Sequence, residues 1–403
     1  MAMAPLSVLI SGSGIAGPVC AYWLHRLSSG LIRTTILERN GELRKAGQQI
    51  DIRGTGVSVI QRMGVEAEIR SKTTREEGLR IIDGDGKQVA EFPAKTGEFS
   101  FVSDIEILRE RLVKIFYDKT KDKTKYIFGN HITDLKQDDE KATVLLANGE
   151  TRDYDLILGA DGMWSKTRKL AFPEIKDPLK HLGQYISYFT IPYESEDGIH
   201  SQWYNAEGGR SILIRPDNHG CTRAFLSIMS PQLAGYRQLS ITDQKAMMRE
   251  YFLDAGWQAK RIIKGMEKSD DFYMQEIAQV KMPHYSRGRV ALLGDAGYCP
   301  SPISGMGTTV AIVGAYILAG EIFRAGPDYR KAFQNYEEIM RPYVAKAQNL
   351  IPGAPAITCP QTKWGISLLH KFLSFVSWSN LIPLMSKFSG PSGEIKQLPV
   401  YEA

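Results

Sequence analysis

Three short stretches hold residues whose types and spacing could do chemistry. Gly12-Ser13-Gly14-Ile15-Ala16-Gly17 fits G-x-G-x-x-G between an apolar run, Leu6 to Ile10, and an amphipathic helix expected from about Pro18 to Ser29. Gly12 permits a tight turn, Gly14 lets a pyrophosphate approach the backbone, and Gly17 allows close helix–strand packing. The start of that helix offers unpaired N–H groups and the positive end of a dipole to phosphate. Glu38, followed by Arg39, closes a second strand 21 residues after Gly17, placed to accept from a ribose hydroxyl. Together these make a dinucleotide-binding pattern.

The second stretch, "DLILGADGMWSKTRKL", runs a strand into Asp161-Gly162, followed by Ser165 and Arg168. The third, "LLGDAGYCPSPISGMGTT", ends an apolar run on Gly294-Asp295, and no charged side chain follows until Glu321. An ordinary loop is polar and solvated. This one is dense in Gly, Pro and Ser, and suits a large, partly apolar ligand. Three Gly/Asp turns at strand ends imply an elongated ligand touched in three places, which fits FAD better than NAD.

The elements that must position these turns read as an α/β fold. Leu6 to Ile10, the helix and Thr34 to Glu38 form the first β–α–β unit of a parallel sheet, continued by a helix near Ile105 to Tyr117 and a strand at Asp155 to Leu158. "GLRIIDGDGKQVAEF" is a hairpin around Asp-Gly. Gln184 to Met229 gives several strands, with a helix near Asp243 to Leu253 and a strand near Tyr273 to Met282, before "GRVALLGD" resumes the α/β pattern. The expected organisation is a discontinuous nucleotide-binding domain over 1–73, 101–180 and 284–345. A mostly antiparallel substrate domain over 74–100 and 181–283 interrupts it, and 346–403 is a C-terminal helical segment and tail. Trp364 to Met385 is strongly apolar and reads as a helix with three available roles: packing at the domain junction, contact with a membrane surface, or a lid over a pocket.

Composition agrees with a globular chain: 403 residues, 43% hydrophobic and 24% charged. The net charge of +5 is scattered rather than clustered, which argues against a nucleic-acid partner. The four cysteines lie far apart with no C-x-x-C pair, so neither a zinc site nor a dithiol centre is expected, and the usage fits a reducing compartment. The chain begins without a charged region ahead of an apolar core, so no signal peptide is expected. No window reads as a membrane span. The expected location is the cytoplasm.

The three ordered motifs resemble those of the single-component FAD-dependent aromatic hydroxylases, the group of para-hydroxybenzoate hydroxylase, with the tetracycline-inactivating monooxygenases most similar in character. The resemblance covers about Leu6 to Tyr343. It implies a Rossmann-like FAD-binding domain interrupted by a substrate-binding sheet. The first motif would cradle the pyrophosphate, Asp161-Gly162 would serve FAD and the nicotinamide cofactor, and Asp295 would accept from the ribityl chain. Pro302, Gly305, Met306 and Gly307 would pass beside the isoalloxazine, and the helix starting near Thr308 would aim its dipole at the ring. By position in "RKAGQQIDIRGTG", Arg44 resembles an arginine linked to the nicotinamide cofactor and Asp51 an acid near the flavin. In "LRERLVKIF", Arg109 resembles an FAD-contacting arginine, with Arg111 as a register alternative, and Arg210 loosely matches a substrate-facing arginine.

This chain departs from the family where Gly297-Tyr298 replaces Ala-His, Ser301 a frequent Pro, Met306 a Gln and Gly314 an Asp. The implied reaction is hydroxylation of an aromatic or polycyclic small molecule. NADPH or NADH reduces FAD, and O2 reacts through a flavin C4a-hydroperoxide, with no catalytic acid–base pair required of the side chains. Tyr298, His200 and His219 are further polar candidates near substrate. Three alternatives stay open: a flavin halogenase, whose W-x-W-x-I-P segment is absent, another flavin oxidoreductase such as an oxidase, and a non-catalytic flavin-binding or regulatory module.

Overall fold

The three motif turns are brought to one place by strand register. In a six-stranded sheet, Val290–Leu292, Leu156–Gly159, Leu6–Ser11, Ile32–Glu38 and Lys125–Phe128 run parallel in that order, with the short antiparallel strand Ser286–Arg287 at one edge. Ser11 pairs with Gly159, and Gly159 with Leu292, so the turns after all three strands leave the sheet side by side. Ligands of open parallel sheets bind at such carboxyl ends. The computed structural model describes residues 5–44, 47–74, 77–93, 105–217, 220–233, 235–379, 395 and 397–402.

The glycine helix Ala16–Leu27 packs against the central helix Gly307–Ala325, whose residues from Thr309 to Ile322 are all buried. That central helix alone among the described helices is long and apolar enough to cross a membrane, and here it fills the core, 78% of its apolar window being buried. A third helix, Tyr329–Ala347, lies beside it.

The interrupting domain is a seven-stranded sheet in the order Tyr273–Val280, Leu179–Pro192, Cys221–Met229, Arg210–Pro216, Ser201–Ala206, Gly78–Ile82 and Gln88–Pro93. All neighbours are antiparallel except Ser201–Ala206 with Gly78–Ile82. One face carries a separate core in which Phe189, Ile212, Leu226, Phe252 and Ile262 pack together beneath the helices Ile241–Phe252 and Ala259–Lys268. The other face looks toward the motif turns.

Three details differ from the sequence reading. The helix expected from Ile105 starts at Arg109, because Glu106–Leu108 is a strand paired with Gln49–Asp51. A three-stranded antiparallel sheet over Ile132–Gln137, Ala142–Leu146 and Thr151–Tyr154, and the helix Ala259–Lys268, are additional elements. The C-terminal helix is described over Lys363–Ser379, the rest of its expected span, 380–385, lying outside the described residues; it packs against Gln88–Pro93 and Ser201–Ala206, with Val376 buried beside Ile81, Ala90 and Phe92. Its outer face leaves Trp364 and Trp378 75% and 83% exposed.

Candidate active site

A cavity of about 1510 Å³ lies between the motif turns and the inserted sheet. Gly12 turns at φ +113°, and a Cβ there would sit 2.4 Å from the Ala160 carbonyl oxygen. A Cβ on Gly17 would meet the Gly12 carbonyl oxygen at 2.1 Å. Both glycines therefore serve backbone packing. Gly14 differs: a Cβ there would have only an Arg109 nitrogen within reach, at 3.8 Å, and its backbone faces the cavity. The glycine helix has no side-chain cap and no acid in its first turn, so its N-terminal N–H groups are unclaimed by side chains. The central helix starts the same way, with Gly307 and Thr308 on the cavity wall.

Most expected site residues meet here. The Glu38 carboxylate is fixed at the cavity edge by the Ser13 N–H and hydroxyl, at 3.1 and 2.7 Å, and by the Asn40 N–H at 3.0 Å. Arg39, Arg44 and Arg109 line the same wall, Arg44 lying 4.9 Å over the Tyr273 ring. Asp295 faces in at the end of its strand, and Pro302 and Gly305 follow along the wall. Asp51 also faces in, its carboxylate accepting from Arg53 at 2.8 Å.

Several expected residues take other positions. The Asp161 turn lines the cavity, but its carboxylate accepts from the Ser165 and Thr167 hydroxyls and the Lys166 and Thr167 N–H groups. It caps the short helix Lys166–Ala171. Arg168 is buried and donates to the Met163 and Ala296 carbonyls, stapling the second turn to the third. Met306 is buried in the core rather than on the cavity wall, and Arg111 is not on that wall either. Tyr298 is fully buried, its hydroxyl 2.7 Å from that of Tyr336, so it does not face substrate. His200 is buried near Glu91, 3.9 Å away, off the cavity; His219 lies outside the described residues. Ser301 sits at φ +81°, a value the ring of a proline cannot take.

Arg210 is displaced by strand alternation. Along Arg210–Pro216, residues Ser211, Leu213 and Arg215 face the cavity, so Arg210 points to the opposite side. There it pairs with Asp254 at 2.5 Å, donates to the Glu207 and Tyr251 carbonyls, and lines a second pocket beneath the C-terminal helix.

Other cavity residues had little individual signal in the sequence. Gln48 and Gln49 are buried on the wall, and neither amide has a hydrogen-bond partner among the described residues. Buried amides are rarely left so, which fits a ligand that would complete them. The facing wall is aromatic: Tyr273, Tyr188, Phe225, Leu213 and Trp203 lie directly across from one another on five adjacent strands.

The match to known proteins follows this geometry. A family model described as "FAD binding domain" matches residues 5–347. The chain belongs to this family of FAD-dependent monooxygenases. It is 36% identical over 420 residues to "Monooxygenase CTB7" of Cercospora beticola, covering 100% of this chain and 99% of that protein. It is 33% identical over 419 residues to "FAD-dependent monooxygenase asL6" of Sarocladium schorii, covering 98% of each. Among solved structures it superposes on tetracycline destructase Tet(51) with a TM-score of 0.80 and 33% identity over the whole of both chains. The chain is thus an enzyme with FAD as cofactor and NAD(P)H and O2 as co-substrates. Its residues fit that cofactor: an open glycine cradle, two uncapped helix starts and unpartnered amides meet along one cavity.

Burial pushes the Asp295 carboxyl above the ordinary carboxylate range, with the Arg109 guanidinium and the Cys299 thiol pulling the other way. A raised value penalises the folded apoprotein for ionising this group. The penalty grows as pH rises from the unfolded value, about 3.9, through the folded one, and persists above it. Asp295→Asn is therefore expected to raise the melting temperature of the apoprotein at neutral pH, with the gain vanishing in acid. It is also expected to weaken FAD binding by roughly tenfold or more through the lost charged acceptor. Scanning fluorimetry across pH and FAD titration check both; a variant less stable than wild type at neutral pH would mean the carboxylate anchors the fold instead.

Proposed function

We propose that this monooxygenase hydroxylates a planar, phenolic or polycyclic aromatic molecule held between FAD and the inserted sheet, with tetracycline-type antibiotics among the candidate substrates. The observation that carries this reading is the row of five apolar or aromatic side chains across the wall facing the motif turns. Similarity to a tetracycline destructase over the full chain supports it.

In this reading FAD, when bound, supplies the redox chemistry by which NAD(P)H and O2 deliver one oxygen atom to the substrate. Gly14 and the start of the glycine helix would hold the pyrophosphate, Glu38 a ribose, and Asp295 the ribityl hydroxyls, with Arg109 countering the carboxylate charge. Pro302, Gly305 and Gly307 would give the ring close backbone walls without side chains that collide or bring in water. The aromatic wall would stack the substrate and keep water from the reacting face. Arg39 and Arg44 would meet the phosphates of the reductant at the rim. The four cysteines are all unpaired, which supports a reducing, cytoplasmic setting. The exposed aromatic face of the C-terminal helix would allow peripheral contact with a membrane.

The test is NADPH and NADH oxidation by the purified flavoprotein, with and without tetracyclines and simple phenols, read with product mass. The expected result is substrate-stimulated consumption with a gain of one oxygen in the product. Slow, unstimulated consumption with release of hydrogen peroxide would reject the substrates tried. A protein that never retains FAD would overturn the cofactor roles assigned to these residues.

A further inference from the structure

The face of the inserted sheet toward the cavity carries three rows of side chains fixed by register, and of the two flanking rows Gln184, Ser211, Ser227 and Arg215 reach the cavity wall. The middle row is the apolar one already described. Strands lie about 4.8 Å apart, so five adjacent strands spread that row over ~19 Å, far wider than a single aromatic ring. Two residues along each strand toward one side lies a polar row in which Ser227 pairs with Ser211 and Ser211 with Asn205. Gln184 adjoins it, donating to the Ser227 hydroxyl at 2.6 Å and to the Cys359 sulfur at 3.4 Å. Ser211 lies 3.7 Å from the same sulfur, and Asn205 donates to the Thr358 carbonyl at 2.8 Å. The Gln184 carbonyl oxygen is buried without a partner among the described residues. No member of this cluster carries a formal charge, and burial raises the Cys359 thiol, keeping it neutral.

The row on the other side holds the arginines of this face, Arg215 and Arg223, which pair across the strands. Each is already matched by carboxylates. Arg215 pairs with the buried Glu106. Arg223 pairs with Asp217 at 3.2 Å and with Asp271 at 3.4 Å. Of the other cavity arginines, Arg39 and Arg44 would serve the reductant, Arg109 offsets the Asp295 carboxylate and Arg237 stacks on Trp164. A carboxylate-bearing substrate on the sheet would therefore have to displace one of these acids or be buried against neutral groups, which is costly either way. Hydroxyl and carbonyl groups of an uncharged ring system would instead find donors and acceptors along the polar row.

We infer that the site selects an uncharged, multi-ring phenol or quinone, laid along the apolar row with its oxygen-bearing edge on Ser227 and Ser211, and rejects aromatic carboxylates. This rests on the proposed placement of substrate against the inserted sheet and deepens it.

Isothermal titration of the FAD-loaded enzyme tests it with three probes: dihydroxyanthraquinone, its ring carboxylic acid, and para-hydroxybenzoate. The neutral three-ring compound is expected to bind at least about tenfold more tightly than its acid, and para-hydroxybenzoate more weakly still. Equal or tighter binding of either carboxylate, or no binding of the neutral compound, overturns the inference. Glu106→Gln supplies a second arm: removing the acid matched to Arg215 is expected to shift preference toward the carboxylated probe by about tenfold. An unchanged preference in a folded variant counts against the matched-charge explanation; if that variant does not fold, the three wild-type titrations decide alone. Binding is read without turnover, so a ligand that binds as expected yet gains no oxygen would fault the proposed reaction and leave this selectivity standing.

Discussion

Gly14→Val is expected to fold, melt close to wild type and purify colourless. The position is the open one of the three glycines: an added Cβ meets nothing closer than a flexible Arg109 nitrogen at 3.8 Å. A valine there projects into the space where a pyrophosphate would contact the backbone, so the loss falls on binding rather than on the fold. An effect of about two powers of ten or more on FAD affinity is expected, since each 1.4 kcal/mol is tenfold and several backbone hydrogen bonds to phosphate are blocked together. Gly12→Ala and Gly17→Ala should behave in the opposite way. Their Cβ atoms would stand 2.4 and 2.1 Å from backbone carbonyl oxygens, which cannot swing aside. Overpacking typically costs about 1–3 kcal/mol, and Gly12 adds the strain of φ +113°. These variants should lose stability whether or not FAD is present. Circular dichroism melts of the apoproteins with FAD titration separate the two cases, and a Gly14→Val protein that stays yellow would remove the pyrophosphate from this loop.

The same contrast shows what was legible in the sequence. Short-range patterns carried far: the G-x-G-x-x-G spacing, Glu38 at a strand end and the charge-free run after Asp295 all mark turns that the parallel register sets side by side. The Asn148-Gly149 turn between Ala142–Leu146 and Thr151–Tyr154 carries a hairpin signal of the same short range, and the sequence reading passed over it. Direction was harder. Arg210 and Arg215 sit on one strand with similar surroundings in sequence, and only the sheet's pairing shows that the odd positions 211, 213 and 215 face the cavity. Asp161 looks like a ligand group until the Ser165 and Thr167 hydroxyls are seen to claim it. The aromatic wall is a property of five strands in register, brought together from residues as far apart in sequence as Tyr188 and Tyr273. No local window contains it.

The departures after Asp295 explain one another once packed, and a double substitution should show it. The family's usual His and Asp are here Tyr298 and Gly314. The Tyr298 hydroxyl occupies the space above Gly314: a Cβ on that glycine would lie 2.1 Å from it. The hydroxyl is held there by the Tyr336 hydroxyl at 2.7 Å, which in turn bonds the Leu292 carbonyl at 3.0 Å, at the end of the strand that carries Asp295. Gly314 is thus small because Tyr298 is large. Gly314→Asp alone would drive a side chain into a fully buried tyrosine and bury a carboxylate with no charge partner, a loss of about 3–5 kcal/mol. Tyr298→His alone would leave a void beside Tyr336, costing about 2–4 kcal/mol. Combined, the smaller ring makes room for the acid and gives it a partner, so the double variant should recover at least half of the summed loss. Denaturant melts of the four proteins give the coupling directly. Additive losses would mean that Tyr298 and Gly314 are independent, and that the hydroxyl above the glycine does not account for its size.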